Sequence, residues 1–264
     1  MQRYFIQLAY NGSNYHGWQV QPNAITVQEV LSKAVSVLTR KETEVIGAGR
    51  TDTGVHASFF VAHFETSEPI DHDYLCRKLG VFLPTDISVQ TIFPVDSEMH
   101  ARFSALSRTY HYFISNNKEP FRKEFVAYCP YPLDIDSMNK AARLLFNYID
   151  FTSFSKLHTD VKTNNCKIMK AEWREENGLL VFEIKADRFL RNMVRAIVGS
   201  LVDVGRRKST VEGFKAIIEA KNRCQAGTSV PANGLFLTNI EYPEPVNSHL
   251  TNLSSSLFLS PGAC

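Results

Sequence analysis

Apolar and polar positions in the first 95 residues follow patterns that predict a β-α-β-β-α-β order. Residues 3–10 alternate in part and are rich in aromatic and branched side chains, which is typical of a β-strand. Thr26 and Glu29 have the spacing of a capping box and open an apolar stripe of helical period. The remaining predicted elements are a short strand at 44–46, a strand at 58–64, a helix capped by Asp71 that ends near Pro84, and a strand at 87–93.

A similar order is predicted for the second half of the chain. Asn177-Gly178 is a turn dipeptide between two apolar runs and predicts a β-hairpin of strands 166–173 and 179–186. The other predicted elements are a strand at 108–115, a helix at 136–146, a helix at 189–204 stopped at Gly205, an extra helix at 211–220 and a closing strand at 235–242.

These patterns predict an α+β fold of two pseudo-duplicated β-α-β-β-α-β halves, each ferredoxin-like or RRM-like. We expect an N-terminal half over residues 1–100 and a C-terminal half over residues 101–245. Residues 246–264 are rich in Ser and Asn and predict a mobile tail.

Composition narrows the class of protein only slightly. The 264 residues are 44% hydrophobic, enough for a substantial core, and the net charge of +2 does not by itself indicate nucleic acid. Five scattered cysteines have no C-x-x-C spacing, so we expect neither a zinc site nor a disulfide framework, and reduced thiols suit a cytoplasmic protein. No apolar run approaches the roughly 20 residues that span a bilayer, and the N-terminus does not resemble a signal peptide.

Candidate chemistry lies in residues 47–56, GAGRTDTGVH, between two predicted strands. Its glycines allow positive φ and close approach of a ligand, and Arg50 and Asp52 would point to the same side of an extended segment. A plain turn, in which Asp caps its own backbone, is the ordinary interpretation of such glycines. The segment is neither a P-loop nor a dinucleotide fingerprint, because no Gly-Lys-Ser/Thr and no helix follows.

Taken whole, the string resembles the catalytic motif of the bacterial tRNA pseudouridine synthase A family. Thr53 is a departure, since the family more often has alanine there, but it removes no chemical group. The resemblance covers roughly residues 3 to 242. Further blocks of the family stand in the same order, at 10–22 (YNGSNYHGWQVQP) with 26–28 (TVQ), 101–103 (ARF) with 108–112 (RTYHY), 189–195 (FLRNMVR) with 198–199 (VG), and 231–235 (PANGL).

The resemblance implies the pseudouridine synthase fold with a central cleft, and an isomerase that acts without a cofactor. Its expected substrate is the tRNA anticodon stem-loop, at positions 38, 39 and 40, and the family works as a homodimer. Asp52 would be the nucleophile, and the chemistry agrees, because a carboxylate can form a covalent intermediate and leave again. Attack at C6 of the base, attack at C1′ of the ribose and a glycal route all stay open.

Three further residues take substrate-binding roles from the resemblance. Tyr110 would stack on the target base and could relay the C5 proton, although a strand tyrosine is otherwise usually a core residue. Arg195 would pair with Asp52, although most arginines on such a helix stripe face water. Arg50 could hold a phosphate or pair with Asp52, or be a plain surface residue.

The remaining basic residues near the motifs could form a local positive surface for phosphates, and an ordinary solvated role is equally open for each. We interpret His56 and His63 as structural or RNA-contacting, since their spacing does not suit a metal site. The RNA-binding candidates are Arg102, Arg108, Arg188, Arg191 and Arg206, with Arg207 and Lys208 beside them.

Our structural hypothesis is that a flipped uridine enters a cleft between the halves, where Asp52 meets Tyr110 and Arg195. One alternative is a non-catalytic RNA-binding protein on the same scaffold, since fold does not fix function. A carboxylate-dependent glycosidase is the other alternative, but it normally needs two carboxylates and only Asp52 is a compelling candidate.

Overall fold

The computed structural model describes residues 1–156 and 163–250. Contacts divide the described chain into two compact units, residues 1–106 with 237–250, and residues 107–236. The predicted halves, 1–100 and 101–245, differ from these units, because most of the closing strand belongs with the first unit. The α+β class is confirmed, and so is the β-α-β-β-α-β order in each half.

The first unit is an antiparallel sheet with two helices. Its sheet order is β4-β1-β3-β9, with the short β2 on β3. Thr26 caps α1 by accepting from the Glu29 amide, and Asp71 caps α2 by accepting from the Tyr74 amide, as predicted. The elements are β1 (Gln2–Tyr10), α1 (Val27–Thr39), β2 (Ile46–Gly47), β3 (His56–Thr66), α2 (His72–Phe82), β4 (Ile87–Val95) and the greater part of β9 (Leu235–Glu241).

The second unit contains the remaining strands and helices, while β9, the strand that closes the β-α-β-β-α-β order of the C-terminal half, lies mostly in the first unit. Its antiparallel strands follow the order β5-β8-β7, and β6 pairs in parallel with β5. The predicted hairpin is confirmed, since Asn177 (φ 52°) and Gly178 (φ 75°) form the two-residue turn between β7 and β8. The elements are β5 (Ser107–Ser115), β6 (Ala127–Tyr128), α3 (Ile135–Leu144), β7 (Ile168–Glu176), β8 (Leu179–Ala186), α4 (Met193–Gly205) and α5 (Val211–Glu219).

Several predicted boundaries were wrong. Helix α4 begins at Met193 rather than at residue 189, because Asn192 is left-handed (φ 65°) and cannot continue a helix. It also runs through Gly205, and the left-handed residue beyond it is Arg207 (φ 58°). The short strand predicted at 44–46 lies at Ile46–Gly47.

The predicted tail is described only in part. Val246–His249 forms a 3-10 helix in which Val246 is buried, and the His249 ring stacks on Phe93 at 5.0 Å. Residues 251–264 lie outside the described residues. The four described cysteines are free, and Cys264 falls among the residues that are not described.

A buried histidine joins β3 to the turn after β4. His63 is 2% exposed, and its Nδ1 accepts a hydrogen bond from the Ala101 amide at 3.3 Å. Its ring lies edge-on to His100 at 4.5 Å. Burial, and to a smaller extent the charges of His100 and Arg3, lower the pKa of His63 to about 4. His63 is therefore a neutral structural residue at physiological pH.

Acid should therefore destabilise the protein through His63. The pKa of this residue is 6.5 in an unfolded chain and about 4 in the folded protein, so the unfolded state binds the proton first. The contribution of neutral His63 to the free energy of unfolding is fully present above pH 6.5. It is lost as the pH falls from 6.5 to 4, and the loss is at most about 3 kcal/mol. Urea unfolding across this range, with wild type and His63→Asn, measures the effect. The asparagine can still accept the Ala101 hydrogen bond but does not titrate, and equal pH slopes for the two proteins would contradict the assignment.

Candidate active site

The loop from Ala48 to Val55 carries Asp52 and is shaped by backbone contacts with residues 12–17. A Cβ on Gly17, which has φ 85°, would lie 2.2 Å from the Thr51 carbonyl oxygen. A Cβ on Gly12 would lie 2.0 Å from the Val55 carbonyl oxygen. Only glycine permits backbones to approach this closely. The two segments therefore fit together on both sides of Asp52.

These glycines are not the ones that the sequence singled out. Gly49 has no atom within 4 Å of an added Cβ and no positive φ, so nothing around it requires glycine. Gly54 does need it, with φ 76°, and a Cβ on Gly47 would lie 2.4 Å from the Trp18 ring. Gly12 and Gly17 fall inside the block at 10–22 that carries the family resemblance, which was the only signal for them.

Buried side chains fix the flanks of the loop. The hydroxyl groups of Tyr10 and Thr51 are hydrogen-bonded at 2.9 Å, and both residues are buried. His56 is 1% exposed, and its Nδ1 accepts from the Gly12 amide at 3.0 Å. His56 is thus a structural residue, one of the two roles that its position suggested. With these neighbours fixed, the loop presents Asp52 from a supported backbone.

Asp52 and Arg50 differ in their surroundings. Asp52 is half-buried, and its carbonyl accepts from the Val55 amide at 3.1 Å, closing a turn. Arg50 is exposed and makes no ion pair with any residue that the structure describes. The guanidinium of Arg50 is thus accessible to an external anion.

Tyr110 lies in β5, in the second unit. It is half-buried, and Phe189 meets its ring edge-on with centroids 5.2 Å apart. Strand geometry places Tyr112 on the same face, where its hydroxyl donates to the Pro231 carbonyl at 2.9 Å. Burial raises the pKa of Tyr112, so its hydroxyl stays protonated and keeps this bond.

Arg195 lies in the first turn of α4. Its Nε donates to the Val230 carbonyl at 2.8 Å, and its own carbonyl accepts from the Val230 amide at 3.2 Å. The side chain is half-buried. Because Nε is bonded to Val230, a carboxylate partner of Arg195 would be met by the terminal nitrogens Nη1 and Nη2.

The other candidate arginines have varied neighbours. Arg108 donates to the Asp187 carbonyl at 2.8 Å, and the Asp187 carboxylate accepts from the backbone amide of Arg188 at 2.7 Å. Arg206 stacks on the Tyr131 ring at 3.7 Å. Arg102 is exposed beside the Phe103 ring, and Arg191 is exposed.

The described residues hold no group of three or more His, Cys, Asp or Glu side chains arranged to bind a metal ion. Within the same residues, none of the helices combines the length and apolar character needed to cross a membrane.

Comparison with known proteins gives a consistent family. A family model described as tRNA pseudouridine synthase matches residues 7–104 and 141–243. The chain is 59% identical over 248 residues to tRNA pseudouridine synthase A of Bacteroides fragilis, covering 93% of this chain and 98% of that protein. It is 57% identical over 245 residues to the protein of that name from Parabacteroides distasonis, covering 92% and 97%. For Bacteroides thetaiotaomicron the identity is 56% over 269 residues and the coverage is 100% of both.

Replacing Gly17 by alanine should disrupt the loop that carries Asp52. The new methyl group would strike the Thr51 carbonyl, and φ 85° is unfavourable for alanine, so we expect a loss of at least about 2 kcal/mol in the free energy of unfolding. Gly49→Ala is the matched control in the loop itself, and should change stability by no more than about 0.5 kcal/mol. Urea unfolding measures both, and equal stabilities for the two variants would contradict the packing described here.

Proposed function

Because the chain belongs to the tRNA pseudouridine synthase family, we propose that it isomerises uridine to pseudouridine in the tRNA anticodon stem-loop, at positions 38, 39 and 40. The observation that carries the proposal is the Asp52 loop, in which a half-buried carboxylate stands on a backbone supported on both sides. An RNA-binding protein without catalysis has no need of such a residue.

The reaction rearranges one nucleoside without adding or removing atoms. The N1–C1′ bond of uridine breaks, the base turns, and a C5–C1′ bond forms. The proton on C5 leaves and N1 gains a proton. No oxidant, reductant or donor group enters the balance, so a carboxylate, a proton relay and a binding site for the base are sufficient.

Asp52 is the nucleophile in this proposal. Its carboxylate can add to C6 of the base or to C1′ of the ribose, or it can assist formation of a glycal. Each route requires an ionised carboxylate close to a base that has left its stack. The half-buried position suits both needs, since RNA can reach the group while its backbone stays fixed.

Tyr110 and Arg195 complete the proposed chemistry. The Tyr110 ring offers a stacking face for the uracil, and its hydroxyl can relay the C5 proton by passing on its own. In this proposal Nη1 and Nη2 of Arg195 form a charge-assisted pair with the Asp52 carboxylate, because Nε is already bonded to the Val230 carbonyl. The proposal requires both residues to act on the same uridine as Asp52, which the activity of their variants tests.

Basic residues bind the RNA backbone in this proposal. Arg50 is exposed and suited to a phosphate near the target nucleotide. Arg102 and Arg191 are also exposed. Protein contacts orient the side chains of Arg108 and Arg206, and Arg188 lies beside Asp187, to which Arg108 is bonded. We further propose a cytoplasmic homodimer in which each tRNA contacts both subunits, and sedimentation equilibrium of the free protein tests the dimer.

Removing the Asp52 carboxylate should abolish the activity. Unmodified tRNA transcripts are incubated with wild type and with Asp52→Ala, without added metal or cofactor. Pseudouridine is then mapped by carbodiimide-dependent reverse-transcription stops. Wild type should give stops at anticodon-arm uridines, and Asp52→Ala should be at least about 1000-fold slower, as expected for loss of a nucleophile.

Thr53→Ala is the matched control, because the neighbouring side chain is exposed and has no role in the proposed chemistry. It should retain wild-type activity within about twofold. A folded wild type that binds tRNA but gives no stops would favour the non-catalytic RNA-binding alternative. Activity retained by Asp52→Ala would refute the nucleophile assignment.

A further inference from the structure

We propose that residues 226–231, here called the strap, set the orientation of Arg195, and that Ser229 is a positioning residue for the reaction. The inference rests on the proposed function, because it needs Arg195 to act on the substrate or on Asp52. The strap has no regular secondary structure, yet it is bonded to Arg223, to α4 and to β5.

The first two residues of the strap are held by Arg223 and Ser200. Arg223 Nη1 lies 3.4 Å from the carbonyl oxygens of both Ala226 and Gly227, to which it donates. The Gly227 amide donates to Ser200 Oγ on α4 at 3.0 Å. These bonds supply partners for backbone groups that have no strand or helix to pair with.

The middle of the strap lies directly on the backbone of α4. A Cβ on Gly199 would be 2.0 Å from the Thr228 carbonyl oxygen. Gly199 lies one helical turn after Arg195, and strap backbone occupies the space that a side chain at residue 199 would need. Any side chain at residue 199 would therefore push the strap away from Arg195.

Ser229 is bonded from two sides. Its Oγ accepts from Asn192 Nδ2 at 2.7 Å and from Arg223 Nη2 at 3.0 Å. Asn192 is the left-handed residue that immediately precedes α4, so this bond ties the start of the helix to the strap. The next residue, Val230, exchanges two hydrogen bonds with Arg195. The side-chain bonds of Ser229 are therefore made by the residue directly before Val230, which bonds Arg195.

The strap ends at β5. The Pro231 carbonyl accepts from the Tyr112 hydroxyl at 2.9 Å, two residues from Tyr110 on the same strand. Val230 is thus fixed from both neighbours, by Ser229 on one side and Pro231 on the other. Because Val230 bonds Arg195 Nε, a loose strap would let the guanidinium turn away from its partner without removing its charge.

The test is Ser229→Ala, which removes the acceptor for both Asn192 and Arg223. We expect kcat for pseudouridine formation to fall about tenfold, as a misplaced catalytic group would cause, while KM for tRNA stays within about twofold. Ser229→Thr keeps the hydroxyl and should recover most of the loss. The stability-matched control is Thr210→Ala, which removes the side-chain cap of α5 without touching the strap. It should leave kcat within about twofold.

A double-mutant cycle with Arg195→Lys separates positioning from general damage to the fold. If Ser229 acts through Arg195, Ser229→Ala should slow single-turnover conversion about tenfold in wild type but less than twofold in Arg195→Lys. A tenfold loss in both backgrounds, or equal kcat losses for Ser229→Ala and Thr210→Ala, would overturn the inference. Where Arg195→Lys is too slow to measure, the comparison of kcat and KM between those two variants decides.

The outcomes also separate this inference from the proposed function. A wild type that forms no pseudouridine, or an Arg195→Lys variant with full activity, would refute the function or the role of Arg195 on which the inference rests. An active wild type, an impaired Arg195→Lys and an unimpaired Ser229→Ala would overturn the positioning role of Ser229 alone.

Discussion

Direct contact between backbones, without intervening side chains, is the constraint on which the positions of Asp52 and Arg195 depend. Gly12 and Gly17 let residues 12–17 lie against the carbonyl oxygens of Val55 and Thr51, where an added Cβ would come within 2.0 and 2.2 Å. Gly199 allows the same contact between α4 and Thr228. Close-packed interiors tolerate few voids and few clashes. Each of these contacts therefore restricts the loop or the strap to essentially one position.

The consequence is that irregular segments become precise supports. The loop that carries Asp52 has buried residues on both flanks, including Thr51 and His56, while the carboxylate itself is only half-buried. Arg195 is fixed by a segment without secondary structure through Val230. In each unit the candidate polar residue is thus supported by a segment that hydrogen bonds hold in place, which would limit the reorganisation needed on binding.

Local patterns predicted the regular elements well because their causes are local. The Thr26 cap, the Asp71 cap and the Asn177-Gly178 turn depend on residues a few positions apart, and the structure has all three. Failures occurred where a local preference was overridden or absent. Asn192 adopts a left-handed conformation, so α4 begins only at Met193. Ala127–Tyr128 is a strand only because it pairs with β5.

The sequence by itself determined the order of the elements, the family and the segment in which Asp52 lies, because these are written in periodicity and in contiguous motifs. Only the tertiary structure decided that Gly17 rather than Gly49 shapes the loop and that His56 is structural. It also decided that Arg195 is anchored by Val230, 35 residues away in the chain. The physical reason is that these contacts join distant segments, whose approach depends on how whole elements pack and leaves no periodic signal in the sequence.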